Sequence, residues 1–503
     1  LPLTSPEPSP IAARLAKNRL GTLAIAGFIL SATAPVAAVA GIIPTGYATT
    51  GILGIPLAIL LIGVVLALFS VGFTAMSRRI SNAGAFYAYV AQGIGKPLGV
   101  ATAVVATLAY NLLQVGFYGA FGAAVMPLFN PRLGIAVPWW AWALGAWAVV
   151  AVLGVKRIDL NGHILSALMV MEIMLIAIFD FFNAAQSPEG SVSFAAFEPS
   201  ALLVPGAGAL FVIAITGFVG FEASAIFSEE ARDPVRTVPR ATYLCLAVTA
   251  VVYSLSAWAM TVATGPNRIT AVATRDGSET IFNLADANIG PGWSTLGHIL
   301  FATSVFAAMV SYHNAVGRYT FALGRENVLP AVFGTTTRKG APKWGSLTQS
   351  IIGLAVIVGY ALAGLDPLVQ LFFWCGTTGG FGVLLLLTIT SAAVIGYHLR
   401  HGGANLWRGV FAPILALVAL AFIAETAATN FATLLGISAE SPLGWIFPSS
   451  YLLAAGAGLI WAGVLRRTRP GVYRTIGLGA NSVTGRVTGV EDTSGTHGLR
   501  RPQ

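Results

Sequence analysis

The chain has 503 residues, 56% of them hydrophobic and only 9% charged, with a mean hydropathy of +0.78. No soluble globular domain needs that balance, so composition excludes the soluble classes and indicates a polytopic membrane protein. The net charge of +9 is then a matter of topology and of attraction to an anionic inner leaflet, with no case for nucleic acid.

Residues 1–19 hold four prolines followed by Arg14, Lys17 and Arg19, and are expected to form a short cytoplasmic tail. No cleavable signal is expected, because the apolar run that follows is too long for a signal-peptide core and lacks a clear small-residue cleavage site. Runs long enough to cross a ~30 Å hydrocarbon core then fall at roughly 20–46, 52–76, 97–129, 136–155, 160–182, 203–228, 238–264, 293–317, 345–363, 367–397, 409–427 and 446–465. This predicts an all-α membrane domain over 20–469 with twelve transmembrane helices. Residues 470–503 are polar and rich in Gly, Thr and Ser, and read as a disordered cytoplasmic tail. The two cysteines, Cys245 and Cys375, lie inside apolar runs, so neither a disulfide framework nor a metal cluster follows, and no cofactor is expected.

Orientation follows from the loops, where Lys and Arg concentrate on the cytoplasmic side. With the N-terminus inside, all but three of the 28 basic residues fall in inner segments; the outer loops hold only Arg132, Arg268 and Arg275. A missed or extra span would scramble that alternation. Both termini are therefore expected in the cytoplasm of a cell that carries this protein in its plasma membrane.

Two of the runs are interrupted. In the sixth, Thr216-Gly217-Phe218-Val219-Gly220 is followed at once by Phe221-Glu222, and in the first Pro35 stands amid SATAPVAAVAG. Unwound backbone at membrane depth is tolerated only where it is buried in protein or lines a wet cavity. A glycine packing face in the sixth run and a simple proline kink in the first are the plain alternatives. Interruption at corresponding places in two halves, however, points to a transporter of inverted repeats with a midplane site.

At this point the residues carry a resemblance. GFVGFEASAIFSEEARDPVRTVPRA (217–241) closely resembles the sixth-span signature of the amino acid-polyamine-organocation (APC) permeases, and three other segments agree with it: RRISNAGAFYAYVAQGIGKPLG (78–99), GVKRIDLNG (154–162) and NAVGRYTFALGRENVLP (314–330). The resemblance covers about 20–400 in the right order. It implies a leucine-transporter-like fold of 5+5 inverted helices with helices 1 and 6 broken and two helices appended, together with secondary active transport of an amino acid or related amine.

A broken helix offers free amides at one half and free carbonyls at the other, and an amino acid zwitterion matches both. Its carboxylate is expected on the amides near Ala32, Thr33, Ala34 and Pro35, and its ammonium on carbonyls around Ala214, Ile215 and Gly217. The chain departs from the commonest family pattern here, since residues 32–35 have no glycine and Pro35 has no N–H. By its place in the motif, Thr216 matches a position that is a large aromatic in some relatives with large cationic substrates, so it leaves room. Phe218 is a candidate aromatic gate beside Gly220, and Tyr110 and Asn111 are candidate wall residues, with ordinary packing as the other reading.

Carboxyl groups inside predicted spans are functional by default, and Asp180, Glu222 and Glu172 are such groups. Asp180 lies near the outer end of the fifth run and is within reach of the interface. Glu222 matches the recurrent glutamate of the family and either braces the unwound segment or carries a proton. Glu172 lies midway along the fifth run, where some proton-coupled relatives carry a lysine; burial disfavours the charged form of a carboxylate, which makes it a candidate proton carrier. The alternative is sodium, held by first-run carbonyls and eighth-run hydroxyls such as Ser304 or Ser311. His313 in the same run reads as an interior hydrogen-bonded histidine that could also titrate. The run Glu229–Arg240 offers gate ion pairs to Arg78, Arg79, Arg318 or Arg325, or else a solvated face, with Thr237 and Pro239 opening the seventh helix.

The leading expectation is a proton-coupled amino acid symporter. An exchanger and a polyamine or organic cation permease are its neighbours, and a transporter-like amino acid receptor is the reading from another class. An enzyme is not expected, because six scattered histidines supply no clustered ligands. No nucleotide-binding loop is present, which leaves ATP out as the energy source.

Overall fold

The computed structural model describes residues 20–479 other than 81, 157, 189, 205, 206, 339, 403 and 404, and the backbone alone at 158–163. Among the described residues the molecule is helical with no strands; two isolated bridges are the only β pairing. Among the described residues, eleven helical stretches are long and apolar enough to cross a membrane: α1 (Thr22–Thr50), α2 (Ile55–Ser77), α3 (Lys96–Leu133), α5 (Ile158–Ala185), α6 (Ala207–Ala225), α7 (Pro234–Thr264), α8 (Trp293–Arg325), α9 (Lys343–Leu362), α10 (Pro367–His401), α11 (Trp407–Thr429) and α12 (Leu443–Thr468). A shorter apolar helix, α4 (Trp139–Gly154), lies where the fourth predicted run falls; its 16 residues span about 24 Å at helical rise. The protein is thus a multi-pass membrane protein.

Helix α1 is the core. Every residue from Ile25 to Ala40 is buried, and its first half packs against α5, α7, α8 and the 3-10 segment Phe221–Ala225. A helix that is apolar all round belongs at the centre of a bundle, and its Ala and Gly residues let neighbours approach closely. At the periphery α12 leaves Leu453 76% and Ile460 71% exposed, as expected of side chains that face acyl chains rather than water.

Two of the boundary differences from the sequence reading have a clear cause. Helix α7 begins at Pro234, ahead of Thr237 and Pro239, because Asp233 caps it by accepting the Arg236 N–H at 3.3 Å and Pro234 fills the first turn, where its missing N–H costs nothing. The tail expected to be disordered from Pro470 is ordered through Gly479, with a short helix at Pro470–Arg474, because its amides find partners on the protein. Residues 480–503 and the tail 1–19 lie outside the described residues.

Candidate functional site

The interruption in α1 is local and has a clear cause. A proline disfavours α conformation in the residue before it, and Ala34 adopts φ 46° and ψ 72°, a left-handed geometry that costs an L-residue ~1–2 kcal/mol. Helix resumes at Pro35–Ala37 and passes through a π-helical turn at Ala38–Ile42. The orphaned Thr33 carbonyl accepts the Tyr253 hydroxyl of α7 at 3.1 Å, and the Thr33 hydroxyl donates to Leu30 O at 2.8 Å. Ala32, Thr33, Ala34 and Pro35 are all buried.

In α6 the α-helix ends at Thr216, and the chain turns through Gly217–Gly220 before a 3-10 segment at Phe221–Ala225. Amides of Gly217, Phe218 and Val219 bond back to the carbonyls of Ala214, Ile215 and Thr216 at 3.1, 3.0 and 3.3 Å, and the Phe221 amide to Phe218 O at 3.2 Å. The Val219 carbonyl takes the Tyr312 hydroxyl at 3.2 Å. The Gly217 carbonyl has a part in none of these bonds. Two of the three carbonyls expected to meet an ammonium are thereby engaged in the turn.

The two interruptions touch. Gly220 has φ +117°, and a methyl placed on it would lie 2.8 Å from Ala32 Cβ and 3.3 Å from the Ala32 carbonyl carbon. Only glycine meets both conditions. Glu222 locks this turn from within: one carboxylate oxygen accepts the Gly220 N–H at 2.9 Å, and the other accepts the Tyr110 hydroxyl at 3.0 Å. Tyr110 therefore reaches the site through Glu222, whereas Asn111 donates to Thr107 O of its own helix at 2.7 Å.

Glu172 of α5 stands at the other interruption. The Ser304 hydroxyl of α8 donates to it at 2.6 Å, and the backbone amide of Val36, the residue after Pro35, lies beside it. A carboxylate at that amide suits the positive end of the resumed helix. The carboxylate expected there from substrate is thus matched by one the protein already carries. The stretches 25–40, 104–120, 165–180, 207–225, 300–316 and 372–385, which supply these segments, contain no Lys or Arg.

Around the turn, Thr216 lies against α10, where a methyl on Gly380 would meet its Cγ2 at 3.0 Å. Phe218 points toward α2 and α7, 6.3 Å from the Tyr253 ring and beside Gly63, rather than into the Tyr110 cluster. That cluster consists of Tyr110, Tyr312, Tyr319 and Phe117, with Phe372 of α10 closing it at 5.6 Å from Phe117. Tyr253, Tyr312 and Phe372 were not legible from sequence, where each is one more aromatic in an apolar run. Asp180 accepts the Ser256 hydroxyl at 2.7 Å, and His313 pairs with Ser346 at 2.7 Å.

Two ion pairs join α8 to the segment that follows α6. Arg325 makes a two-pronged contact with Glu229 at 2.6 and 2.7 Å, and the buried Arg318 pairs with the buried Glu230 while also donating to Asn314. These are two of the pairs offered by the charged run; Arg79 instead donates to Gly402 O at 3.0 Å. Leu20 bridges to Ala231 beside them, tying the start of α1 to this segment. Among the described residues no group of three or more His, Cys, Asp or Glu gathers that could hold a metal ion.

The sequence pattern described as "Amino acid permease" matches residues 29–465. The chain is similar to the low-affinity putrescine importer PlaP of Escherichia coli, 22% identical over 349 residues that cover 65% of this chain and 71% of that protein. It is also similar to an uncharacterised transporter of Mycobacterium tuberculosis, 27% identical over 40% of this chain and 41% of that one. The human cationic amino acid transporter 4 is 27% identical over 46% of this chain and 34% of its own. With broken helices α1 and α6 in contact at its centre and the family pattern running along 437 of its residues (29–465), the chain belongs to the amino acid permease family of the APC superfamily.

Proposed function

We propose that the protein is a secondary active transporter that moves an amino acid or related amine across the plasma membrane by alternating access, coupled to protons. The observation that carries this reading is the contact of Ala32 with Gly220, which brings two unwound segments together amid buried side chains. In this reading α4 is a twelfth span, α1–α5 and α6–α10 are the inverted halves, and both termini are cytoplasmic, in keeping with the distribution of Lys and Arg. Substrate lies against Ala32–Pro35, Ala214–Phe218 and Gly220, with Tyr110 at the wall. The paired Arg325–Glu229 and Arg318–Glu230 close the cytoplasmic side, so the state described is closed inward.

Glu172 is the proposed proton carrier, and Glu222 the brace. Ser304 donates to Glu172 and Ser311 to the Phe28 carbonyl at 2.7 Å, and since a donating hydroxyl keeps its lone pairs, sodium stays the alternative coupling ion that the uptake test below separates from protons.

A second reading, that the substrate is an amine without a carboxylate, has its own observation. Glu172 lies beside the Val36 amide, so the resumed half of α1 presents a carboxylate where an amino acid's own carboxylate needs donors. Like charges there repel, while an ammonium is welcome between Glu172 and Glu222 and over the tyrosine rings. The putrescine importer among the relatives is in keeping with it.

The test is uptake into proteoliposomes of a labelled amino acid mixture and, separately, of labelled putrescine, under an inward proton gradient, an inward sodium gradient, or with unlabelled substrate inside. Accumulation under the proton gradient alone supports symport, and the label that accumulates decides the substrate class. Counterflow alone indicates an exchanger. No flux of either label under any condition overturns the transporter reading in favour of a receptor.

A further inference from the structure

After α12 the chain passes through the Pro470–Arg474 helix, and Thr475–Gly479 then lies against the same side as the ion pairs. Four donors converge on the carboxylate of Glu326, the residue that follows α8. They are the Gly477 N–H at 2.6 Å, the Gly479 N–H at 2.8 Å, the Tyr87 hydroxyl at 2.6 Å and Asn82 Nδ2 at 2.9 Å. The contact is reciprocated: Gln92 Nε2 donates to the Gly477 carbonyl at 2.6 Å, Lys96 to the Arg474 carbonyl at 2.7 Å, and Ile476 is buried. Glu326 has no exposed surface, and a carboxylate is tolerated in such a place only where donors surround it. Two of those donors belong to the C-terminal segment.

This segment shares its anchors with the ion pairs. Arg325 holds Glu229, and its neighbour Glu326 holds the C-terminal amides. On the facing loop, the Ala83 N–H donates to Glu229 at 3.0 Å, and its neighbour Asn82 donates to Glu326. Two adjacent residues of α8's end and two adjacent residues of the loop thus carry both contacts. Parting Glu229 from α8 and from the 82–87 segment strains the Glu326 cluster as well.

We propose that residues 475–479 are a strap that holds the cytoplasmic side closed and must release before the site opens inward. The proposal rests on the alternating-access reading but not on the identity of the substrate. Its test uses the full chain in proteoliposomes with Cys245 and Cys375 replaced by Ala and with Ser228→Cys, a buried position beside Glu229, as reporter. A membrane-impermeant maleimide is applied to the cytoplasmic face.

Chains ending after Arg474 are expected to label at least about threefold faster than the full chain, a shift in population toward the inward-open state. Gly477→Pro removes one donor at a position of φ +83° that proline cannot adopt, and is expected to change labelling in the same direction, which keeps the test decisive if the shortened chain folds poorly. Equal labelling of the full chain and Gly477→Pro overturns the strap. Uptake measured on the same vesicles reports transport separately, so a failure of the strap is distinguishable from a failure of the transporter reading.

Discussion

Ser304 of α8 and Glu172 of α5 are joined by a 2.6 Å hydrogen bond at the level where α1 is interrupted, with the Val36 amide beside the same carboxylate. Three helices therefore meet through one side chain. Under the proposed symport, a proton loaded or unloaded there would change what these helices share.

Glu172→Gln keeps the size of the side chain and removes its charge. It is expected to preserve counterflow of substrate while reducing accumulation under a proton gradient by at least about tenfold, since a coupling group biases the two states only through its own differential binding. Accumulation with unchanged pH dependence removes Glu172 from that role.

Glu222 answers differently if it is a brace. Glu222→Gln retains an acceptor for the Gly220 or the Tyr110 bond but not the charge, and is expected to weaken substrate affinity without altering the pH dependence of uptake. Tyr110→Phe leaves one Glu222 oxygen short of a partner, at about 1–3 kcal/mol for a buried acceptor. A lowered melting temperature together with weakened binding is the expected pair of results; a changed pH profile in either variant assigns Glu222 to proton transfer instead.

The glycines of α6 are distinguishable by size scanning. At Gly217 a methyl meets the Tyr253 ring at 3.3 Å and the Ala214 carbonyl at 3.4 Å, so Gly217→Ala is expected to bind substrate with little loss and Gly217→Leu not at all. At Gly220 even alanine combines an unfavourable φ with contact on Ala32, at about 1–3 kcal/mol for the backbone alone. Binding isotherms on purified variants check the order; equal affinity in Gly220→Ala counts against the contact as part of the site.

Arg318 and Glu230 are a buried pair, and removing one partner strands the other. Arg318→Ala is expected to destabilise the closed state by about 3–5 kcal/mol and to lower the melting temperature more than Arg318→Ala combined with Glu230→Ala does. A double variant no more stable than the single one argues that the pair is not what holds this side shut.

Much of the architecture could be read directly. The predicted runs fall on the helices found, and the interruption at Pro35 was legible because a proline both lacks an N–H and constrains the residue before it. The interruption at 217–220 was legible from two glycines three apart. The ion pairs of Glu229 and Glu230 were legible only as a set of possible partners, because a charged run says nothing about which helix ends face it. The role of Gly477 and Gly479 was not legible at all: a Gly-rich segment reads as disorder until a buried carboxylate is found to take its amides.

Composition and the spacing of breaks are local properties, so the sequence by itself determined the membrane class, the helices, the places where two of them open, and the family. Which groups meet at those openings depends on residues far apart in the chain, such as Glu172 with Val36 and Ser304, Ala32 with Gly220, and Tyr253 with Thr33. Only packing in three dimensions decided these contacts, because buried polar groups are satisfied by whatever neighbour the fold presents and not by position along the chain.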